Sequence, residues 1–260
     1  MSGEPVIVVD GVTQRFGNTL VFRDVSFRVL TGEVFVILGG SGCGKSTLMK
    51  QLIGLLKPSA GRIAIFGHAI TGPGGDAALH VVQRRIGVMF QSGALFGSMT
   101  LLENVMLPLE MFTDLPPEGR EAVARVKLGL VGLGDAAALM PAEISGGMAR
   151  RAGIARAMTL DPPLLMLDEP SAGLDPITSA GLDKLILDLR QDLGATFVVV
   201  THELASILAI ADRCIMLDRA AYPDGGGMIA EGEPRVLRDT STHPTVRAFF
   251  RRELPAAAVA

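Results

Sequence analysis

The sequence has few of the features that mark secreted, membrane-spanning or nucleic-acid-binding chains. It has two cysteines in 260 residues, too few for a disulfide framework, which favours a reducing cytosol. Its longest apolar runs, at residues 34–38, 164–167 and 197–200, are far shorter than the about 20 residues that cross a bilayer. No basic and apolar leader opens the chain, so we expect no signal peptide. A net charge of −3 gives no general affinity for nucleic acid. We therefore expect a soluble cytosolic chain.

The apolar pattern predicts an α/β fold. Apolar residues make up 48% of the chain and charged residues 20%, enough for one large domain with an inserted subdomain. Apolar runs without alternation indicate strands that are buried on both faces of a parallel sheet. These runs alternate with helical patterns, which predicts a doubly wound, mostly parallel sheet with its ligand site at the carboxyl ends of the strands. The predicted strands lie at residues 33–38, 62–66, 86–90, 164–167, 196–200 and 214–217.

Two other regions depart from that alternation. Residues 6–9 and 25–29, separated by a turn at 17–18, predict an antiparallel β flap. Between about residues 92 and 160 the strand-like runs disappear and helical patterns take over, which predicts an inserted helical subdomain. We place one domain at residues 1–242, followed by a short helix and tail at 243–260.

A glycine-rich loop lies between a predicted buried strand and a predicted helix. It matches the pattern G-x-x-x-x-G-K-S/T, whose glycines let backbone N–H groups point at phosphate oxygens. Lys45 would reach the β- and γ-phosphates, the Ser46 hydroxyl would bind Mg²⁺, and Thr47 would bond the α-phosphate. The alternative is a glycine-rich turn that only opens a helix. The other loop residues are Gly39, Gly40, Ser41, Gly42, Cys43 and Gly44.

Two carboxylates follow the apolar run at 164–167. Asp168, at the tip of this strand, can hold Mg²⁺ through water. Glu169 is then placed to orient and deprotonate an attacking water, and such a general base contributes roughly 10²–10⁴ in rate. The alternative is a carboxylate pair on a solvated loop.

Ser145, Gly146 and Gly147 lie between the glycine-rich loop and the carboxylate pair. They open a predicted helix, where bare backbone N–H groups and a hydroxyl can bind an anion. The alternative is a helix N-cap without a ligand. The order of the three motifs resembles that of the ATPase subunits of ABC transporters, and the resemblance covers nearly all of the chain.

The resemblance implies ATP and Mg²⁺ as ligands and a head-to-tail dimer of two copies. Ser145, Gly146 and Gly147 would bind the γ-phosphate of ATP held by the other copy, and residues 171–175 would run between the two sites. Gln91 would sense the metal and the water, His202 would contact the γ-phosphate, and Phe16 would stack on adenine unless it is a core residue. The implied catalytic residues are Lys45, Gln91, Glu169 and His202, and the implied metal ligands are Ser46, Gln91 and Asp168.

Met148 stands where most relatives continue the Ser-Gly-Gly motif with glutamine. Residues 90–96, 139–151 and 175–178 look like the ATPases of Mla-type lipid transporters, which work with MCE-domain proteins. This resemblance implies phospholipid transport through a separate permease, with an MCE-domain protein and a small accessory subunit, at the cytoplasmic face of the inner membrane. The alternatives are the ATPase of another ABC importer and a soluble scaffold ATPase of iron–sulfur cluster assembly or cell division.

Two further expectations concern the thiol of Cys43 and an apolar groove that follows Gln91 in the chain. A thiol at Cys43, beside a helix N-terminus and Lys45, is expected to form its thiolate and react readily. An apolar groove after Gln91 is expected to receive a short helix of the permease, unless its residues simply pack the helical insertion. The expected groove residues are Ala94, Leu95, Phe96, Met99 and Leu101.

Overall fold

A computed structural model describes residues 3–253. The chain divides into two units, one made of residues up to 79 and from 200 onward, the other of residues 80–199. The strands are β1 (Pro5–Phe16), β2 (Thr19–Leu30), β3 (Val34–Gly39), β4 (Ala60–Ile65), β5 (His68–Ala69), β6 (Ile86–Met89), β7 (Leu164–Asp168), β8 (Thr196–Val200), β9 (Arg213–Tyr222) and β10 (Gly225–Gly232). The helices are α1 (Lys45–Leu52), α2 (Gly75–Gln83), α3 (Leu101–Phe112), α4 (Pro117–Leu130), α5 (Gly146–Ala157), α6 (Pro176–Leu193), α7 (Leu204–Ile210), α8 (Pro234–Thr240) and α9 (Pro244–Arg251).

Seven strands lie side by side in the first unit, in the order β5-β4-β1-β2-β10-β9-β3. β1 and β2 form a long antiparallel hairpin, and β4 pairs antiparallel with β1. β3 runs parallel to β9, with Phe35 opposite Arg213 and Gly39 opposite Leu217. All six residues of β3 are buried. The glycine-rich loop therefore leaves the carboxyl end of a strand that has no solvated face.

The antiparallel flap is longer than the sequence predicts. Its strands continue beyond residues 6–9 and 25–29 because half-exposed polar residues alternate with buried apolar ones, as on a sheet with one solvated face. Gly11, at φ 57°, lies at a register shift between Val9 and Val12 that lets the strand continue past an irregularity.

The second unit contains β6, β7 and β8 in the order β8-β7-β6, and β6 runs parallel to β7. The helices α3, α4 and α5 lie within residues 101–157, inside the stretch predicted to be helical. Thr100 opens α3 with a capping box to Glu103, and Pro117 occupies the first turn of α4. The predicted domain boundaries themselves stay predictions.

Several elements of the structure are absent from the sequence prediction: β5, α2, α7, α8 and β10. β10 begins with three glycines, a residue type that is depleted in strands. The structure explains them by close approach, since a Cβ at Gly226 would lie 2.4 Å from the carbonyl oxygen of Val21. The short helix predicted after residue 243 is α9. Residues 254–260 of the predicted tail lie outside the described residues. Among residues 3–253, no helix is long and apolar enough to span a membrane.

Candidate functional site

The loop between β3 and α1 requires glycine at two positions. At Gly39 the backbone has φ 151°, and a Cβ would lie 2.2 Å from the carbonyl oxygen of Leu217. At Gly44, with φ 99°, a Cβ would lie 2.6 Å from the ring of Phe22. A side chain at either position would therefore displace the neighbouring strands. Within the described part of the chain, the Cβ positions of Gly40 and Gly42 meet no atom within 4 Å, which leaves room for a ligand beside the loop backbone.

Lys45 is the first residue of α1 and lies over the loop. Its ammonium nitrogen Nζ donates to the carbonyl oxygen of Gly39 at 2.8 Å and to that of Gly40 at 3.1 Å. The side chain is 8% exposed. Gly44 precedes the helix, and none of the described side chains caps it. A buried ammonium beside uncapped backbone N–H groups is a site for an anion such as phosphate.

The remaining predicted residues of the first unit lie where a ligand can reach them. Ser46 is exposed in the first turn of α1, and Thr47 is half-buried beside it. Phe16 ends β1 with 53% of its surface exposed, which excludes its alternative role as a core phenylalanine. The exposed His202 follows β8, with Nε2 3.8 Å from Glu203 Oε1.

Cys43 corrects the expectation of a reactive thiol. The residue is 1% exposed, and its sulfur lies beneath the loop, 2.6 Å from where a Cβ of Gly39 would be. Burial raises the pKa of the Cys43 thiol, and the opposing charge of Lys45 is the weaker effect. The prediction of a readily formed thiolate was wrong because it counted the helix N-terminus and the lysine but could not count the loss of solvent.

The carboxylate pair of the second unit ends a buried strand, as predicted. Asp168 is the last residue of β7 and is half-buried. Glu169 follows with φ 48°, a left-handed conformation that is uncommon outside glycine and clusters at functional sites. Its carbonyl accepts a hydrogen bond from the N–H of Ala172, which turns the chain toward α6. Gln91 is exposed and opens a short 3₁₀ turn after β6.

Ser145 caps α5, and the start of that helix is exposed at Ser145 and Gly146. Its Oγ accepts from the N–H of Met148 at 3.2 Å, and a hydroxyl that accepts one bond can still donate another. Ser145 and Gly146 are exposed, whereas Gly147 is buried. A Cβ at Gly147 would lie 2.5 Å from Cγ2 of Thr178 in α6. The Ser-Gly-Gly turn therefore packs closely against the segment that follows the carboxylate pair.

An apolar groove of about 390 Å³ opens on the second unit. Ala94 and Phe96 line it, as predicted, together with the exposed residues Met111 and Phe112 of α3. Leu101 was predicted to line it but is completely buried, because it is the first residue of α3 and packs inward. Leu95 and Met99 are not among the lining residues. The others are Gln83, Ile86, Gly87, Val88, Phe90, Leu107, Pro108, Arg156, Ala157, Leu160 and Pro162.

The chain matches one known protein family over more than half of its length. A family model described as ABC transporter matches residues 22–172, which include the glycine-rich loop, the Ser-Gly-Gly turn and the carboxylate pair. The chain belongs to the ABC transporter family.

Relatives and solved structures agree with this assignment. The chain is 42% identical over 235 residues to the intermembrane phospholipid transport ATP-binding protein MlaF of Escherichia coli K12, covering 90% of this chain and 84% of that protein. It is also 42% identical, over 244 residues, to the probable ribonucleotide transport ATP-binding protein mkl of Mycobacterium tuberculosis H37Rv, and this match covers 94% of this chain. The matched part spans 66% of the length of the mycobacterial relative.

The solved structures include one of an ABC cassette after hydrolysis. A dimeric structure of the ATP-binding cassette MJ0796 bound to ADP and Pi superposes with a TM-score of 0.76 at 31% identity, covering 87% of this chain and 98% of that chain. The predictions of an ABC-type α/β fold and of an ATP-binding ABC ATPase are confirmed. The roles of individual site residues stay predictions.

The sequence prediction missed two arginines of this ABC ATPase that contact predicted motifs. Arg150 is 8% exposed, and its Nη2 donates to the carbonyl oxygen of Ala172 at 3.1 Å, which ties α5 to the segment 171–175. Arg156 donates to the backbone that follows Gln91. Both arginines follow the Ser-Gly-Gly turn on one helix, but a sequence pattern does not show which carbonyl groups their guanidinium groups reach.

Proposed function

We propose that this chain hydrolyses Mg·ATP to energise phospholipid transport through a separate membrane permease. The observation that carries the proposal is the glycine-rich loop, in which Gly39 and Gly44 admit no side chain and a buried Lys45 ammonium lies against the loop backbone. This geometry fits a chain of phosphates, since backbone N–H groups and one cation complement their charge. Lys45 and the loop backbone bind the β- and γ-phosphates, Thr47 binds the α-phosphate, and Phe16 stacks on adenine.

The residues proposed for Mg²⁺ fit that ion by their chemistry. The donors are the Ser46 hydroxyl, the Gln91 side-chain amide and the Asp168 carboxylate, and all three offer oxygen, which Mg²⁺ prefers. When bound, the ion neutralises charge on the phosphate oxygens. Ser46 and Gln91 are exposed and Asp168 is half-buried at the end of its strand, so that each can meet a ligand from solvent.

Glu169 is the proposed general base. It orients water and accepts its proton, Gln91 helps to orient the same water, and His202 donates a hydrogen bond to the γ-phosphate. The left-handed backbone at Glu169 supports this assignment, because such conformations cluster at active sites and ligand-binding sites. A positioned base of this kind contributes roughly 10²–10⁴ in rate.

We propose that two copies of the chain act together. Ser145 and Gly146 are exposed at the start of α5, where the helix presents N–H groups and a hydroxyl to an anion. The γ-phosphate of ATP held by a second copy is the anion that fits, and Gly147 supports the turn from beneath. The similarity to the MJ0796 cassette, which is a dimer bound to ADP and Pi, supports this arrangement.

The named relatives leave two cargo classes to weigh. MlaF is named for phospholipid and mkl for ribonucleotide, at the same identity of 42%. Phospholipid is favoured because the chain covers 84% of MlaF against 66% of mkl. The Mla-type segments around Ala94, Met148 and Ile177 also support it. Ribonucleotide transport is the alternative, and an ABC scaffold ATPase without a permease is a second one.

The proposed partners are a polytopic permease, an MCE-domain protein and a small accessory subunit, with the chain peripheral to the cytoplasmic face of the inner membrane. The apolar groove beside Phe96 and Met111 supports the permease, since it has a volume of about 390 Å³ and a mostly apolar lining, which suits an apolar helix.

Purification of the tagged chain from gently solubilised native membranes tests the proposal. A permease, an MCE-domain protein and bound phospholipid in the purified complex are the expected result. A permease with a ribonucleotide-binding partner and no lipid would transfer the proposal to the other cargo. Recovery with soluble proteins alone would contradict the transporter assignment.

A further inference from the structure

The backbone after Gln91 has an unusual conformation. Ser92, Gly93 and Ala94 have φ angles of 65°, 77° and 46°, so that three successive residues are left-handed and two of them carry a Cβ. Such conformations are disfavoured for residues other than glycine and persist only where their surroundings hold them. We call residues 91–100 the glutamine segment, because it begins at Gln91 and ends at the cap of α3.

Arg156 holds the start of the glutamine segment. It lies on α5, and its Nη2 donates to the carbonyl oxygens of Gly93 and Ala94, both at 2.9 Å. Its guanidinium carbon lies 5.8 Å from the ring centroid of Phe96. One side chain therefore fixes the direction of two successive peptide groups and contacts the next aromatic residue. The fork of the guanidinium group makes this possible, and the point charge of lysine could not reproduce it.

Asn104 holds the end of the same segment. The residue is completely buried in α3, and its Oδ1 accepts from the N–H of Phe96 at 2.8 Å. Its Nδ2 lies within hydrogen-bond distance of the carbonyl oxygens of Phe96, Met99 and Thr100, at 3.0–3.1 Å. Arg156 Nη1 donates to Asn104 Oδ1 at 3.3 Å, which joins the two side chains in one network.

Close backbone packing gives the network a fixed base. A Cβ at Gly93 would lie 2.5 Å from the carbonyl oxygen of Ala149, and a Cβ at Gly153 would lie 2.9 Å from the Cα of Gly93. The glutamine segment therefore rests directly on the backbone of α5. Because α5 begins at the Ser-Gly-Gly turn, Arg156 connects the helix of that turn to Gly93 and Ala94, which follow Gln91 closely in the chain.

We infer that Arg156 and Asn104 are positioning residues that hold Gln91 in place for ATP hydrolysis. The inference deepens the proposed function and rests on the role of Gln91 in it. Ala94, Phe96 and Arg156 also line the apolar groove. The network therefore borders the groove in which the permease helix is proposed to bind.

A double-mutant cycle on the purified full-length chain tests this inference. The variants are Arg156→Lys, Gln91→Ala and the two combined, with kcat and KM for ATP measured for each. Misplacement of Gln91 is expected to lower kcat about 10- to 100-fold in Arg156→Lys, with KM for ATP within twofold of wild type. The combined variant is expected to match Gln91→Ala alone, since a residue that acts only through Gln91 has nothing left to position.

Two further variants separate positioning from general loss of structure. Asn104→Asp keeps the size and the acceptor oxygen but removes the amide donors, and we expect the same dependence on Gln91; it also serves as the test if Arg156→Lys does not fold. Arg151→Lys is the matched control, because Arg151 lies on the same helix and donates instead to the carbonyl oxygen of Val131. Its effect on kcat is expected to be the same with and without Gln91. A shift of Tm by ATP confirms that each variant is folded.

The outcomes distinguish the inference from the proposed function. Equal effects of Arg156→Lys in the wild-type and Gln91→Ala backgrounds would overturn the positioning role and leave ATP hydrolysis intact. Wild-type kcat in either Arg156→Lys or Gln91→Ala would also overturn it. A wild-type chain that turns over no ATP would overturn the proposed function and the positioning role together.

Discussion

Lys45 Nζ lies 2.8 Å from the carbonyl oxygen of Gly39, within the loop that Lys45 itself completes. The ammonium is 8% exposed, and loop carbonyl groups replace part of its hydration. When phosphate binds, its oxygens are stronger acceptors for the same ammonium, since the bond then joins two opposite charges. The loop is thus preorganised around a cation that exchanges a neutral acceptor for a charged one.

Replacement of this lysine is expected to abolish the stabilisation of the chain by ATP. In wild type, ATP at 100 times its Kd stabilises the folded state by about 2.7 kcal/mol, which raises Tm. Lys45→Ala loses the charge that attracts the phosphates, so Tm is expected to be the same with and without Mg·ATP. Lys57→Ala is the control, since Lys57 forms an exposed ion pair with Asp76. An ATP-dependent Tm shift of wild-type size in Lys45→Ala would show that the loop binds the nucleotide differently.

The Ser-Gly-Gly turn is expected to tolerate a methyl group at one glycine and not at the next. Gly147→Ala places a Cβ 2.5 Å from Thr178 Cγ2, and such overpacking costs about 1–3 kcal/mol. Gly146→Ala meets its nearest neighbour at 3.6 Å, an ordinary contact, and is the matched control. Thr178→Ser removes Cγ2 and should restore most of the stability of Gly147→Ala. Urea unfolding measures the free energy of unfolding of wild type, Gly146→Ala, Gly147→Ala and the double variant Gly147→Ala/Thr178→Ser. If the double variant is no more stable than Gly147→Ala, the clash lies elsewhere.

Cys214 is expected to lower the free energy of unfolding at alkaline pH. Burial raises the pKa of the Cys214 thiol to about 12 from an ordinary value of 9.0. The unfolded chain therefore releases this proton first, so the contribution to stability is complete below pH 9 and is lost as pH rises toward 12. At pH 10 the loss relative to pH 7 is about 1.4 kcal/mol. Cys214→Ala is expected to lose that much less stability than wild type between pH 7 and 10, and parallel pH profiles would contradict the effect of burial.

A charge in the apolar groove is expected to separate transport from basal turnover. Met111 lines the groove and is 66% exposed. Met111→Glu puts a carboxylate where an apolar helix would have to lose its water, which opposes docking. In the complex with its permease we expect the partner-stimulated part of ATP hydrolysis to disappear, while the isolated chain keeps its basal rate. Val126→Glu is the control, because Val126 is 61% exposed on α4 outside the groove. Equal loss in both variants would point to surface charge rather than docking.

Motifs that rely on local backbone geometry could be predicted from the sequence, since their residue types carry the geometry with them. The glycine-rich loop, the strand before Asp168 and the cap at Ser145 all lie where the pattern places them. β8 begins and ends as predicted, because four apolar residues without alternation follow Thr196 and all five residues are buried. Phe16 could not be assigned in this way, because exposure at a strand end depends on its neighbours.

Features that depend on long-range packing could not be predicted. β10 was not predicted, because glycine is depleted in strands and these three glycines allow close approach to β2, a strand near the other end of the sequence. The burial of Cys43 and the inward direction of Leu101 follow from tertiary packing, which reverses what their local sequence indicates. Arg156 and Asn104 are 52 residues apart and meet only in the folded chain.

The most direct test of the account is ATP-driven movement of labelled phospholipid by the purified complex in vesicles. The wild-type complex is expected to move phospholipid only when Mg·ATP is present. With Glu169→Gln the same complex should bind ATP, stay dimeric and move none, since the general base is lost and the rate falls by roughly 10²–10⁴. Phospholipid movement at the wild-type rate with Glu169→Gln, or ATP-driven uptake of ribonucleotide with no movement of lipid, would contradict the account.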